Sequence, residues 1–255
     1  MPQTVIAQKE QIKGVKLFLL SLALGIGTLL IAVDTFIANV SIPTISGDLG
    51  VSQDEGSWVI TSFTVANAVV VPLTGWLTGR IGRVRLFCFS TLSFAIMSFL
   101  CGISFNLPML LICRFLQGLC SGCLIPLSQS LLMYIYPEEK KGFAIGVWGL
   151  VAMVGPVLGP FLGGYITDNY GWGWIFYINV PLGVLSSIIA LQVMLDRGND
   201  LDWWGSSFIV TLAILSLICL VLFVIWEIYE KTPIIDLTLF KDRNFTIGTC
   251  VASFS

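Results

Sequence analysis

Seven long apolar runs constrain this chain more than any other feature, because each is long enough to cross a lipid bilayer. Hydrophobic residues make up 56% of the 255 residues and charged residues only 11%, against about 25% charged in a soluble domain. Backbone polar groups in a bilayer must be bonded within the protein, so such runs are helical. The sequence therefore predicts an all-α, polytopic membrane protein with spans at residues 17–40, 58–77, 86–103, 107–135, 143–166, 174–195 and 206–226.

Composition narrows the classes of chemistry that the chain can support. The net charge of −2 leaves no broad basic face for nucleic acid. The chain has no histidine, which removes the usual proton shuttle and the commonest metal ligand. All seven cysteines lie in apolar runs, and we interpret them as packing residues. With no nucleophile–base pair and no metal set in view, the sequence predicts neither an enzyme nor a protein that needs a cofactor.

The charges between the spans predict the topology. Lys and Arg occur before the first span and in the second-to-third and fourth-to-fifth loops, whereas the alternate loops have none. By the positive-inside rule, residues 1–16 form a cytoplasmic N-terminal tail, which a six-span bundle at residues 17–195 follows.

The rule fails after residue 195. Residues 196–202, predicted to lie in the cytoplasm, contain one basic residue, Arg197, and three aspartates. The segment predicted to lie outside, 227–243, contains Lys231, Lys241 and Arg243. The loss of one span near residues 191–194 would restore the alternation, and a topology that violates the rule is the alternative. Residues 196–255 are predicted to hold one further span, a linker of cytoplasmic type and the start of a truncated helix.

Two side chains that are charged at neutral pH lie within predicted spans, where a charge is costly and marks a functional site. Asp34 is about eight residues from the outer end of its span and Arg114 about seven, so both lie roughly 10–12 Å deep. We expect them to pair, and a proton-coupled cycle could use that pair: Arg114 holds Asp34 ionised, and its withdrawal lets Asp34 take a proton. A static buried ion pair is the alternative. Candidates for lining the same cavity, or for plain hydrogen bonds between helices, are Asn39, Asn67 and Gln117.

The fifth predicted span carries glycine and proline at a helical spacing. Gly155, Gly159 and Gly163 recur every four residues, so they share one face that another backbone can approach closely. Pro156 and Pro160 lie beside them and weaken the hydrogen-bond ladder locally. The pattern predicts a helix contact that is tight yet able to bend or slide, with ordinary membrane helix packing as the alternative.

The second-to-third loop, GWLTGRIGRVRL, combines glycine with positive charge. Its arginines can bond helix carbonyls or neighbouring carboxylates at the cytoplasmic face. Two interpretations stay open: a latch between moving halves, or a charge cluster that only sets the topology. The arginines are Arg80, Arg83 and Arg85, and the glycines expected to allow a tight turn are Gly75, Gly79 and Gly82.

These segments resemble the motifs of the major facilitator superfamily, and specifically of its fourteen-helix drug/proton antiporters, the EmrB/QacA family. LIAVDTFIANVSIP resembles a first-helix motif whose aspartate, here Asp34, is essential to proton coupling in that family. GWLTGRIGRVRL resembles the superfamily's loop motif, RFLQGLCSG the fourth-helix motif, and GPVLGPFLGG, which ends at Gly164, the fifth-helix antiporter motif. WGWIFYINVPLG, LDWWG and PIIDLTLFKDRNF are similar to flanking signatures, so the resemblance runs from about residue 17 to the end.

The resemblance implies the six-helix N-terminal bundle of that superfamily and proton-coupled multidrug efflux by alternating access. It implies small hydrophobic or cationic drugs, protons and the lipid bilayer as partners, and a bacterial inner-membrane location. Where the cell has two membranes, it also implies a periplasmic adaptor protein and an outer-membrane channel.

The chain departs from the family pattern in two places. Gly79 stands where the loop motif usually has aspartate, so the usual charge-relay latch is missing. A gating role for the arginines is therefore less favoured. The linker and seventh helix that normally separate INVPLG from DRGNDLDWW are missing, and the second half of the family's fold is absent. An inactive or split half-transporter that needs a second half is therefore one alternative. A symporter or metabolite carrier is a weaker one, because the glycine–proline helix is associated with antiport.

Overall fold

The computed structural model describes residues 14–195, which form a bundle of six helical spans long and apolar enough to cross a membrane. No strand occurs in this part of the chain, so the all-α membrane fold is confirmed there. The predicted span at 206–226, the truncated helix and nearly all of the N-terminal tail lie outside the described residues. The helices are α1 (Val15–Leu49), α2 (Gln53–Val70), α3 (Thr74–Ile81), α4 (Arg83–Gly102), α5 (Leu107–Ser121), α6 (Leu124–Ile135), α7 (Glu138–Tyr170), α8 (Trp174–Tyr177) and α9 (Asn179–Leu195).

The connection between the first two spans is much shorter than the sequence predicted. Helix α1 continues through Pro43 and ends at Leu49, followed by Gly50, whose φ of 66° gives the left-handed cap that glycine favours. Helix α2 then begins after Ser52, whose side chain forms a capping box with Glu55. The prediction that the first span ends at residue 40 and the second begins at residue 58 is wrong, because a proline inside a packed membrane helix does not have to end it.

The second and fourth spans are each built from two helices. A 3₁₀ turn at Val71–Leu73, which includes Pro72, separates α2 from α3, and Gly122 with Cys123 separates α5 from α6. The two interruptions lie against each other: a Cβ on Gly122 would be only 2.6 Å from the Cβ of Val70. Only glycine permits this approach, so the breaks in the two spans are part of one contact.

The spans are buried to very different extents. In its most apolar window the fifth span, α7, has 11% of its residues buried, against 56% for the third and fourth spans. The fifth span therefore contacts the bundle along one narrow face, and its most extensive contact is with the first span.

A polar clamp formed by Thr28, Ser128 and Trp148 joins the first, fourth and fifth spans. The indole Nε1 of Trp148 donates to Thr28 Oγ1 at 2.9 Å and to Ser128 Oγ at 3.0 Å. Thr28 also donates to Ser128 at 3.0 Å. The clamp adds hydrogen bonds to the fifth span, which otherwise packs mainly against the first span.

We expect Trp148→Phe to lower the free energy of unfolding by about 1 kcal/mol, because the ring stays but its hydrogen bonds between helices are lost. Reversible unfolding in detergent micelles measures this change. Trp58→Phe is the matched control, since Trp58 is 58% exposed at the start of α2 and should leave the stability unchanged. Equal losses in the two variants would contradict a stabilising clamp.

Candidate functional site

An ion pair between Asp34 of the first span and Arg114 of the fourth lies at the centre of the bundle. Both side chains are fully buried, and Arg114 Nη1 donates to Asp34 Oδ2 at 2.6 Å. The structure thus brings together the two charged residues that the sequence places in spans. Helix α1 ends at Leu49, so the first span runs well beyond the end assumed when the depth of Asp34 was counted. Asp34 lies 15 residues from the end of α1, and not about eight as predicted, whereas Arg114 lies seven residues from the start of α5, as predicted.

The guanidinium of Arg114 is enclosed by the second, fourth and sixth spans. Its Nε donates to the carbonyl oxygen of Val59 at 3.3 Å, and Nη1 also donates to Gln117 Oε1 at 2.9 Å. The rings of Phe63 and Phe176 lie 4.3 and 5.4 Å from its central carbon. These contacts offset part of the desolvation that a buried cation suffers, and they leave Asp34 as its counterion.

The second carboxylate oxygen of Asp34 is bound by two amides. Oδ1 accepts from Asn179 Nδ2 at 2.8 Å and, more weakly, from Gln117 Nε2 at 3.4 Å. The sequence singled out Gln117 but missed Asn179, which stands in the INVPLG segment. The available signal was an amide inside an apolar span, the same signal by which Gln117 was chosen. One carboxylate therefore joins the first span to the fourth and the sixth.

The other two polar candidates lie away from this pair. Asn67 donates to Ser121 Oγ at 2.8 Å, between the second and fourth spans. Asn39 is exposed and donates at 2.9 Å to the carbonyl oxygen of Thr35 in its own helix. Of the three cavity candidates, the structure groups only Gln117 with the ion pair.

The glycine face of the fifth span packs against the first span beside Asp34. A Cβ on Gly159 would lie 2.5 Å from the Cβ of Phe36, and one on Gly163 would lie 2.9 Å from the carbonyl oxygen of Ile37. A Cβ on Gly155 would collide with Ala32. Backbone meets backbone along this contact, so its glycines cannot gain even a methyl group without a shift of one helix.

The rest of the glycine–proline motif points elsewhere. Nothing lies within 4 Å of a Cβ built on Gly164. Pro156 and Pro160 are exposed, and α7 runs as one helix through both of them. The close contact therefore depends on every fourth residue, and the prolines occupy the side of the helix turned away from the first span.

The second-to-third loop turns at a single glycine. Gly82 has a φ of 89° between α3 and α4, whereas Gly75 and Gly79 lie within α3. The guanidinium of Arg80 stacks on Trp76 at 4.6 Å, and that of Arg83 stacks on Tyr134 at 4.8 Å. Arg83 therefore ties the loop to the end of the fourth span through an aromatic ring.

Comparison with known sequences identifies the family. A model of the Major Facilitator Superfamily matches residues 24–200. The fatty acid resistance protein FarB of Neisseria gonorrhoeae is 48% identical over 95% of this chain and 54% of its own length. The multidrug export protein EmrB of Escherichia coli (strain K12) is 45% identical over 97% of this chain and 54% of its own length. The chain spans about half the length of these curated relatives.

The same alignments bear on the predicted internal loss. They extend over 272 and 278 positions, more than the 255 residues of the chain, so the relatives have residues that this chain lacks. The position of the loss near residues 191–194 stays a prediction.

Solved structures agree at the level of the fold. The peptide transporter POT in complex with sulfate gives a TM-score of 0.62 at 15% identity, over 95% of this chain and 53% of that one. The proton:xylose symporter XylE gives a TM-score of 0.59 at 16% identity, over 71% of this chain and 47% of that one. A matching family model, six helical spans and relatives at 45–48% identity agree, and the chain belongs to the major facilitator superfamily.

Proposed function

We propose that this chain acts in proton-coupled multidrug efflux, in which small hydrophobic or cationic compounds leave the cell in exchange for protons by alternating access. The observation that carries this proposal is Asp34, a fully buried carboxylate whose charge is balanced by Arg114 inside the bundle. An ionisable group at such a position is costly, so its presence marks a functional site by default. Similarity to relatives named for multidrug export and fatty acid resistance supports efflux as the direction of transport.

The hydrogen bonds of Asp34 suggest how a proton is coupled to movement. The ionised carboxylate accepts from Arg114, Gln117 and Asn179, which belong to the fourth and sixth spans. A proton on Asp34 removes the counterion of Arg114 and weakens these links to the first span. In the proposed cycle Arg114 withdraws as the bundle changes shape, and Asp34 takes a proton from outside. When Asp34 pairs with Arg114 again, it releases the proton to the cytoplasm.

The glycine face gives the first span a surface along which it can move. Gly155, Gly159 and Gly163 bring α7 against α1 on the same helix that carries Asp34. We propose that this close contact excludes water between the two spans, so that protons do not leak past the carboxylate while the helices shift.

The proposed location is a bacterial inner membrane with the N-terminus in the cytoplasm. Consecutive spans run in opposite directions. Four basic residues therefore stand at span ends on the same side of the bundle: Lys16, Arg80, Arg83 and Lys140. In a cell with two membranes, a periplasmic adaptor protein and an outer-membrane channel would complete the export path.

A half-transporter is the second candidate, favoured by the 54% of its relatives' length that the chain spans. In this superfamily the substrate lies between two six-helix halves, and six spans supply one wall. The narrow contact of the fifth span leaves a long apolar surface for a second wall.

Reconstitution into lipid vesicles tests both candidates. The chain is assayed for proton movement driven by a drug gradient, alone and together with the second half of EmrB expressed as a separate polypeptide. We expect drug-dependent proton movement when the second half is present and none from the chain alone. If neither preparation moved protons, export would be refuted. Full activity from the chain alone would refute the need for a second half.

A further inference from the structure

Arg80 and Arg83 lie on either side of the glycine turn in the second-to-third loop, and neither has a carboxylate partner among the described residues. We propose that the two guanidinium groups form a binding site for the phosphate of an anionic phospholipid in the surrounding membrane. This site is independent of the proposed transport function, because it concerns the lipid around the bundle and not the path through it.

The second-to-third loop gathers positive charge and supplies no negative charge of its own. The segment GWLTGRIGRVRL holds three arginines and no acidic residue. At the same end of the spans, the carboxylate of Glu138 already accepts from Lys141 Nζ at 2.6 Å. Arg83 is also the first residue of α4, a position where the helix dipole disfavours a cation. An anion beside these arginines would therefore be stabilised.

Aromatic rings hold both guanidinium groups in place. The central carbon of Arg80 lies 4.6 Å from the ring centre of Trp76, and that of Arg83 lies 4.8 Å from the ring centre of Tyr134. A ring covers only a face of the planar guanidinium, so the N–H groups along its edge are left to donate. Those donors match the oxygens of a phosphate, which one guanidinium binds with two parallel hydrogen bonds.

The surroundings of the two arginines favour a lipid headgroup as the source of the phosphate. Trp76 is 58% exposed and Tyr134 is 42% exposed, and both lie near the ends of their spans. Tryptophan and tyrosine at span ends lie at the level of the headgroups. A Cβ built on Gly79 or Gly82 would meet nothing within 4 Å, so the surface between the arginines is open. An anionic phospholipid brings phosphate and opposite net charge to that depth.

Native mass spectrometry of the full chain, released from detergent micelles, tests the site by resolving the protein with and without bound lipid. Palmitoyl-oleoyl phosphatidylglycerol is titrated, and phosphatidylcholine with the same acyl chains is the zwitterionic comparison. We expect phosphatidylglycerol to bind more tightly. Arg80→Gln and Arg83→Gln should each weaken its binding about fivefold, because each removes one cation from beside the headgroup. Binding of phosphatidylcholine should stay unchanged.

Lys140→Gln is the matched control for charge. It removes one positive charge at the same end of the spans, from an exposed residue that stacks on no ring in the described structure. Its loss should leave the binding of phosphatidylglycerol unchanged. Trp76→Leu keeps the charge of Arg80 but removes the ring that orients it, and should weaken binding about threefold.

Two competitors distinguish the lipid from other anions. Glycerol phosphate presents a similar phosphate without acyl chains, and at equal concentration it should not displace phosphatidylglycerol. The second half of EmrB, expressed as a separate polypeptide, presents protein carboxylates and should leave the lipid bound. Displacement by glycerol phosphate would make any soluble phosphate the ligand, and displacement by the second half would make the arginines a protein contact. Either result would overturn the lipid site.

The proposal is also overturned if phosphatidylglycerol and phosphatidylcholine bind equally, or if Lys140→Gln weakens binding as much as the arginine variants do. A chain that binds phosphatidylglycerol as expected but moves no protons in vesicles with the second half present would refute the export function and leave the lipid site intact.

Discussion

Arg114→Leu is expected to lower the free energy of unfolding by about 3–5 kcal/mol, because it leaves the Asp34 carboxylate buried without its counterion. Both side chains have no exposed surface, so water cannot replace the lost partner. The remaining hydrogen bonds to Asp34 come from neutral amides. Unfolding of the purified protein in mixed micelles, followed by circular dichroism, measures the loss.

The double variant Asp34→Asn with Arg114→Leu separates charge from shape. It removes the unpaired carboxylate and should recover most of the stability, because replacing both members of a buried ion pair is often nearly neutral. If the double variant were as unstable as Arg114→Leu alone, the loss would come from packing against Phe63 and Phe176, and the ion pair would not be the cause.

Gly159→Ala is expected to lower the free energy of unfolding by about 2–3 kcal/mol, at the upper end of what one added methyl group does in a packed core. The new Cβ would lie 2.5 Å from the Cβ of Phe36 and 3.1 Å from the backbone nitrogen of Ile37. Neither neighbour can rotate away, so the two helices must separate. The same unfolding measurement in micelles detects the change.

Gly164→Ala provides the control within the same helix and the same motif. Its Cβ would meet nothing within 4 Å, so we expect no loss of stability, and a small gain from the better helix propensity of alanine. Equal losses at Gly159 and Gly164 would show that the motif resists alanine for a reason other than the close approach of the first span.

The sequence predicted the spans well and their ends poorly, because the two depend on different information. Hydropathy is a local property and defines a span whatever surrounds it. Whether α1 stops at Pro43 depends on neighbouring helices, which a sequence does not display, although the Ser52–Glu55 capping box was a usable signal for the start of α2.

The site was predicted where an energetic cost made its residues conspicuous. A carboxylate and a guanidinium inside apolar runs demand partners, which led to Asp34 and Arg114. Asn179 escaped notice because a neutral amide carries a smaller cost and also occurs where helices merely hydrogen-bond to one another. Its contact with Asp34 joins residues 145 positions apart, which only the folded bundle displays.

The most direct test of a proton-carrying Asp34 compares the unmodified chain with Asp34→Asn in vesicles that also contain the second half of EmrB. A drug gradient is imposed, and proton movement is followed with a pH-sensitive dye trapped inside. Asparagine keeps the size of the side chain but cannot bind and release a proton near neutral pH. We expect drug-driven proton movement from the unmodified chain and none from the variant. Equal proton movement from both would contradict the role of Asp34 in coupling.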